Sequence, residues 1–514
     1  MAKKKKDEQE LSYLQMPLPQ GVRRQRMTKL NWGGLNKRQT LDTGFMSMEK
    51  NISSAEFPYI TPSQVRETAF TLTKTIPLFL YGYEDSLVAV YWEAGTENKE
   101  VGNVKVWYRH FSTTEADNKE VIGDLKEGVK KKDVENEPQR CIVKFNVYDN
   151  PTDVVGGVFT EKLLIFPDKY SMNANLEDIK AKGLALASFD PTGKLLPDMD
   201  YATVHLSRLF TVSKGKIFAS RFNDYSNFNL DTAAEYNEAN AWGSQTQANA
   251  KADGDFVGIT AFQNHVICFK EDFMHEIYNN KNPFRVQDIY ADGCIDNRSI
   301  QDVGGRLFFV SRDGVKIYTG GKPKDIGRDL NIDRFDKAVA GSDGRNYYLY
   351  CESGLNKYFF VFDTVSGQWS EEEVKEEVVA FARNKNGLYA LFSDGKIYKL
   401  DSGKYSVEYD EHEWAFETDF ITAKTIDIKH IQKIQLYAKA ADNSSFQVHL
   451  IKNGEPEDKG QLVYDSKGRI GFLPIRVLVR KSAAYGFKLR FSGKGYVRFY
   501  EMEVDLTGGG ELYV

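Results

Sequence analysis

Cysteine is scarce in this chain. Four residues in 514, Cys141, Cys268, Cys294 and Cys351, are too few and too scattered for a disulfide framework. None forms a C-x-x-C pair and their spacing fits no zinc ligand set, so they are expected as small, reduced apolar residues. No apolar run reaches the roughly 18 residues of a membrane-spanning helix. The N-terminal MAKKKKDEQE is basic but lacks the apolar stretch of a secretory signal. Lys3 to Lys6 reads as a solvated start; the other reading is contact with nucleic acid or an acidic partner, since clustered lysines neutralise phosphates. A net charge of −5 excludes a chain built as a whole to grip nucleic acid tightly.

Catalytic signatures are missing as well. There is no G-x-x-x-x-G-K-[ST] loop and no glycine-rich turn between a strand and a helix. HEIYN starts like H-E-x-x-H, but position 279 is Asn and the context is strand-like. The seven histidines, His110, His205, His265, His275, His412, His430 and His449, are dispersed, and none lies near a Ser or Cys in a nucleophile elbow. SRDGVKIY falls short of the S-x-D-x-G-x-x-W turn of sialidase-like propellers, because Gly314 directly follows Asp313 and no Trp closes it. A glycosidase would also need two carboxylates facing each other across a cleft.

What the chain has is aromatic residues, 13% of the total, and 41 glycines against 14 prolines. That balance favours many short strands joined by tight turns. The length is too great for one ordinary core and implies two or three domains. Residues 1–70 read as an extended arm with no sustained period. Pro58 and Pro62 keep it extended, and apolar residues such as Trp32, Leu35 and Phe57 are scattered along it. So many anchors suit a segment lying on another surface, of its own chain or of a neighbour. Trp32, Leu35, Asn36 and Phe57 are the candidate anchors of an assembly arm.

From 71 to 404 the text is strand, polar turn, strand, as in VGGRLFFVSRDGVKIYTGG and VVAFARNKNGLYALFSDGKIYKLD. Hairpins at roughly 20- to 45-residue spacing predict four-stranded sheets stacked around an axis, a β-propeller. A β-sandwich also yields regular hairpins. A polar insertion near 112–140 reads as a loop with a little helix. From 405 to 514 the alternation is clean in KIQLYAKA and FKLRFSG, which predicts an antiparallel β-sandwich with one wet face per sheet. The expected fold class is therefore all-β: a propeller-like core, an extended N-terminal arm and a C-terminal sandwich.

Two stretches invite a functional reading. The run EEEVKEE, Glu371 to Glu377, reads as a solvated loop or edge, with a negative wall as the functional alternative. FASRFNDYSNFNLD, Phe218 to Asp231, gathers amides and carboxylates around aromatic rings. As a calcium loop it has Asn227, Asn229 and Asp231 in alternation and Glu238 at the twelfth place. Thr232 stands where glycine is needed, and two of the first three ligands are neutral. Sugar binding by aromatics beside amides has no second support. The structural reading is a corner: Asn and Asp cap turns on their own backbone, Phe222, Tyr225 and Phe228 pack inward, and Arg221 pairs with Asp224 or receives carbonyls. No cofactor or metal is expected.

Three passages together resemble a known family. They are LNWGGLNKRQTLDTGFMSMEKNISSAEFPYITPSQVR; KIFASRFNDYSNFN with FKEDFMHEIYNN, GCIDNRSI and LFFVSRDGVKIYTGGKPKDIGRDLN; and KHIQKIQLYAK with LPIRVLVRKSAAYGFKLRFSGKGYVRFYEMEVDL. They are similar to bacteriophage tail nozzle proteins, the tail-tubular-protein-B or DNA-stabilisation type of short-tailed phages, over 30–66, 200–335 and 405–510. The insertion near 112–140 is outside the resemblance.

The resemblance implies a non-enzymatic virion protein, assembled in the host cytoplasm into a homo-oligomeric ring, commonly of six. The lumen passes genomic DNA without sequence-specific binding and helps to retain it. Tail adaptor and fibre proteins are its implied neighbours, and contact with the host envelope is a further one. Arg221, Asp224, Asn227 and Phe228 become the structural mark of the family. A slightly acidic chain suits a conduit, since each neutralised phosphate adds affinity and drag. The alternative is a receptor- or glycan-binding tail protein that uses exposed aromatics of the propeller; a propeller glycosidase is third.

Overall fold

In the computed structural model, described for residues 25–27, 32–38, 45–73, 75–111, 120–136, 142–149, 158–168, 171–174, 197–229, 238–244, 254–279, 281–289, 293–405, 412–422, 428–452, 460–479 and 483–508, almost all regular structure is strand. Seven antiparallel sheets follow one another along the chain. The first blade is Thr75–Tyr83, Ser86–Ala94, Val101–His110 and Glu120–Lys130. The second has three described strands, Ile142–Tyr148, Phe159–Asp168 and Ser171–Ala174. The third is Tyr201–His205, Arg208–Ser213, Lys216–Ala219 and Trp242–Gly243. The fourth is Gly258–Phe262, His265–Phe269, Met274–Tyr278 and Arg285–Ile289. The fifth is Gln301–Val303, Arg306–Ser311, Gly314–Tyr318 and Lys324–Asp325. The sixth is Lys337–Ser342, Asn346–Ser353, Asn356–Asp363 and Gln368–Glu372. The seventh is Val378–Asn384, Gly387–Phe392 and Lys396–Lys399, completed by Glu67–Thr71 from far upstream.

The ring closes because every blade finds an apolar neighbour on both sides. Val88 and Val106 of the first blade meet Ile142 and Leu163 of the second. Phe145 and Leu164 then meet Leu209 of the third blade and Phe228 beyond it. Phe210 and Ile217 pack with Ile259 and Val266, Ile267 and Phe269 with Leu307 and Phe309, and Phe308 and Val310 with Tyr347 and Leu349. Tyr350 and Phe359 reach Leu388 and Ala390. The circuit is completed by Val379 and Leu391 of the seventh blade against Leu80 and Leu87 of the first. Each buried Val, Leu, Ile or Phe side chain among these contributes about 1.5–3 kcal/mol of transfer free energy. The blades touch most closely at the inner strands. A Cβ at Gly82 would lie 2.0 Å from the Arg383 carbonyl oxygen, so only glycine fits where the first and seventh blades meet.

Two further sheets form the predicted sandwich. One runs Gln25–Met27, Val497–Gly508, Lys429–Ala440 and Gly471–Leu478, with Ala483–Ala484 also pairing Lys429–Ala440. The other runs Met46–Lys50, Trp414–Thr418, Phe487–Lys494, Ser445–Lys452 and Gln461–Asp465. Between them Trp414, Phe416, Phe446, Phe491 and Phe499 make one core.

The expected arm over 1–70 is not a separate module. Gln25–Met27 pairs with the last long strand, Gln25 opposite Leu506. Met46–Lys50 is an edge strand of the second sandwich sheet. Glu67–Thr71 is the outer strand of the seventh blade, Thr71 opposite Lys396, so a boundary at 70 cuts through it. The insertion near 112–140 also differs from a loop: Glu120–Lys130 is the outer strand of the first blade and Lys131–Asn136 is a short helix. Its length and charge hid a strand whose residues are mostly exposed.

Candidate functional site

The corner after the third blade's Lys216–Ala219 strand is built as its amides and carboxylates suggested. Asp224 Oδ1 accepts hydrogen bonds from the Ser226 backbone N–H at 3.0 Å and from its Oγ at 2.6 Å, an Asx turn. Asn227 Oδ1 accepts from the Asn229 N–H at 3.1 Å, and the Asn227 carbonyl accepts from the Arg221 N–H at 2.8 Å. Asn223, at φ 59°, exchanges two hydrogen bonds of 2.8 Å with the Tyr148 backbone at the end of the second blade's inner strand. Phe228 is buried between the second and third blades, and Tyr225 packs edge-on against Phe145.

Arg221 is exposed, and the side chain that receives carbonyls is Arg208. Its guanidinium is buried and donates to the carbonyls of Ser220 at 2.6 Å, Asn240 at 2.8 Å and Glu238 at 2.5 Å. Nothing in the sequence marks Arg208, which opens an otherwise ordinary strand, RLFTVS. Of the four residues weighed as calcium ligands, Asp231 lies outside the described residues. Glu238 forms an ion pair with Lys281 at 2.6 Å.

Only part of the acidic run Glu371–Glu377 is a solvated edge: Glu373, Lys375 and Glu376 are exposed, whereas Glu371, Glu372 and Glu377 are half-buried. Its first residues end the outer strand of the sixth blade and hold the N-terminal segment in place. Lys37 meets Glu371 at 2.7 Å, Arg66 meets Glu372 at 3.0 Å and Lys50 meets Glu373 at 3.3 Å. The Glu373 N–H donates to Asn51 Oδ1 at 2.8 Å. Arg66 also lies over the Phe359 ring, 4.3 Å from its centroid. Beneath the cations is Glu49, fully enclosed. Its Oε2 accepts the Glu371 N–H at 3.2 Å and its Oε1 has no hydrogen-bond partner. Burial drives the Glu49 carboxyl well above the usual carboxylate range, and burial also raises Glu371. An acidic run reads as solvent-facing only while its counter-charges, more than 300 residues away, are out of view.

Trp32 and Leu35 are thereby placed in the chain's own cores. Trp32 is in the sandwich, edge-on to Phe416 and Phe491. Leu35 is between the fifth and sixth blades, with its N–H donated to the Trp369 carbonyl at 2.8 Å. Asn36 is buried and accepts the Arg38 N–H on its Oδ1. Phe57 differs, being 43% exposed.

One end of the propeller axis gathers charges that the sequence does not connect. Arg298, just before the fifth blade, is bound to Asp296 at 2.7 Å and reaches the Val379 carbonyl of the seventh blade at 3.5 Å. The same pair acts electrostatically on Tyr201 of the third blade. Lys337 and Glu377 form an ion pair between the sixth and seventh blades. Side chains from separate blades thus converge on the axis in compensated pairs.

The remaining chemistry is quiet. Cys268, Cys294 and Cys351 are buried, and burial pushes all three thiols up, Cys294 to about 12, so none is a poised nucleophile. Among the described residues no cluster of three His, Cys, Asp or Glu could hold a metal ion. No helix among them is long and apolar enough to cross a membrane.

No protein-family model matches the chain, and no curated protein does. Among solved structures it is similar to BamB from Moraxella catarrhalis, at 12% identity and a TM-score of 0.37, over 66% of this chain and 98% of that one. It is also similar to the β-propeller domain of the Trilobed protease from Pyrococcus furiosus, at 9% identity and a TM-score of 0.36, over 68% of this chain and 94% of that one. Likeness at this level concerns the propeller fold and carries nothing about activity or partners.

Proposed function

We propose that this is a non-enzymatic structural subunit of a bacteriophage tail, a nozzle or tube-end component that assembles into a ring around the path of the genomic DNA. The observation that carries the reading is the way the chain is stitched together. One N-terminal segment supplies a strand to the propeller, strands to both sandwich sheets and three cations to the acidic edge between them. The product is a stiff two-module block, as a wall element requires. The resemblance of residues 30–66, 200–335 and 405–510 to tail nozzle proteins supplies the biological setting.

The geometry also bears on where DNA would pass. Inner strands come into backbone contact at Gly82, and Arg298 spans from the fifth blade to the seventh. These contacts favour a passage between subunits over one through a single propeller. Lumen walls of compensated charge would let DNA slide, because few phosphates are neutralised.

Negative-stain imaging of the purified full chain, alone and with a tail adaptor ring, tests the reading. Rings with a central opening are expected. A stable monomer or trimer that forms no ring under either condition would overturn it.

A further inference from the structure

The outer face of the first sandwich sheet carries large exposed aromatic side chains where solvent-facing positions are usually polar. Tyr437 and Phe472 stack with centroids 5.7 Å apart and planes at 23°, and they are 43% and 59% exposed. Phe472 also meets Tyr500 at 5.8 Å, and Tyr500 meets Tyr59 at 4.8 Å. Four rings therefore form a continuous strip across three strands and the N-terminal segment. They are held in place. Arg498 lies 5.7 Å from the Tyr59 ring centroid and 5.9 Å from that of Tyr500. It is itself fixed by an ion pair with Glu56 and by a 3.1 Å hydrogen bond donated to the Tyr496 hydroxyl.

The strip ends beside a polar concavity of about 710 Å³ at the tip of the sandwich. Asp442, Asp465, Lys467, Lys494 and Gln447 line it, and so does Ile470, two residues before Phe472. Ser444 lines it too, wholly buried, and its Oγ has no hydrogen-bond partner. Gly495, at φ +71°, keeps the space over that hydroxyl clear, since a Cβ there would sit 2.4 Å from it.

We propose that this strip and concavity form a binding site for a neutral glycan. A sugar offers flat C–H faces to stacked rings and hydroxyls to donors and acceptors, and the site presents both kinds of group side by side. Charge decides against a charged ligand. The concavity sets two carboxylates against two ammonium groups, so it selects neither an anion nor a cation. Arg498 and Glu56 neutralise each other at the Tyr59–Tyr500 end of the strip, so this ion pair too offers a ligand no net charge. The rings are fixed before a ligand arrives, so little ordering cost opposes binding. The inference does not depend on the tail reading, because it concerns a surface of the single chain.

The test is an array of neutral hexose and N-acetylhexosamine oligosaccharides, with sulfated and carboxylated glycans alongside, probed with the full chain. At least one neutral glycan should be retained, and Phe472→Ala should weaken it about tenfold with the thermal midpoint unchanged. Asp442→Ala, an exposed change at the other end of the site, should weaken the same glycan. Retention of no neutral glycan, or equal retention by Phe472→Ala, overturns the proposal. So does retention of the sulfated or carboxylated glycans alone, which marks charge attraction. A fourth overturning result is loss of self-association in Phe472→Ala with no glycan retained, which marks a subunit interface. Ring formation is read separately by imaging, so either reading can fail without the other.

Discussion

The propeller and the sandwich are both built from antiparallel sheets, yet they spend their faces differently. In the propeller each sheet is covered on both sides, and a middle strand such as Ser86–Ala94 is buried at seven consecutive positions. In the sandwich each sheet has one covered side, and Phe487–Lys494 alternates buried and half-buried along its whole length. A doubly covered sheet keeps only its edges and loops for other molecules. A singly covered one keeps a whole face. Leu355, Val365 and Leu206, exposed apolar residues of the blades, stand singly at turns, whereas Tyr437 and Phe472 form a patch. The second blade also has an aromatic pair, exposed Phe159 against half-buried Tyr148 at 5.4 Å, but the four-ring strip is on the sandwich.

The difference can be broken most forcefully in the ring. Phe309→Ala, between the fourth and fifth blades, should cost about 3–5 kcal/mol in urea unfolding, while Phe472→Ala should change stability by no more than about 0.5 kcal/mol. Equal costs would mean that the two faces are not spent differently. Next in size is the joint between the modules. Arg66→Ala strips Glu372 of its partner and uncovers the Phe359 ring, and it should lower stability by about 2 kcal/mol. Limited proteolysis should then cut first in the segment before residue 75. Cleavage confined to sites elsewhere would show that the joint does not depend on this ion pair.

The smallest effect sharpens the same comparison at Glu49. Its folded carboxyl is raised by burial above the usual 4.5, so the stabilising, protonated form is fully present only below that value and is lost as pH rises through the folded one. At neutral pH the wild type therefore carries a cost that Glu49→Gln removes, about 1 kcal/mol. The thermal midpoint of the variant should exceed that of the wild type at pH 8, and the gap should shrink towards pH 4. A gap that does not change with pH would remove Glu49 as the titrating group.

Much of the architecture was legible in the sequence, for a local reason. Hairpins declare themselves through neighbouring residues, so RLFFVSRDGVKIY and KIQLYAKA gave away their strands and their number of wet faces. The Phe218–Asn229 corner was legible too, since an Asx turn is made by residues two apart. Pairing across hundreds of residues left no such trace. Nothing in ETAFT says that it completes a sheet with Lys396–Lys399, and nothing in EEEVKEE names Lys37, Lys50 and Arg66. The aromatic strip was hidden for the same reason: Tyr59, Tyr437, Phe472 and Tyr500 are neighbours only once three sheet strands and the N-terminal segment have come together.

The strand that closes the seventh blade has a consequence for synthesis. Glu67–Thr71 leaves the ribosome long before Lys396–Lys399, and Gln25–Met27 longer still before Val504–Leu506. Both early strands must wait with unpaired edges while the intervening blades are made, a delay of tens of seconds at roughly 5–20 residues per second. A chain that stops early keeps those edges open, where proteases and other chains can reach them. Completion of the propeller, and then of the sandwich, thus doubles as a proofreading step: only a chain translated through its last long strand hides both early edges.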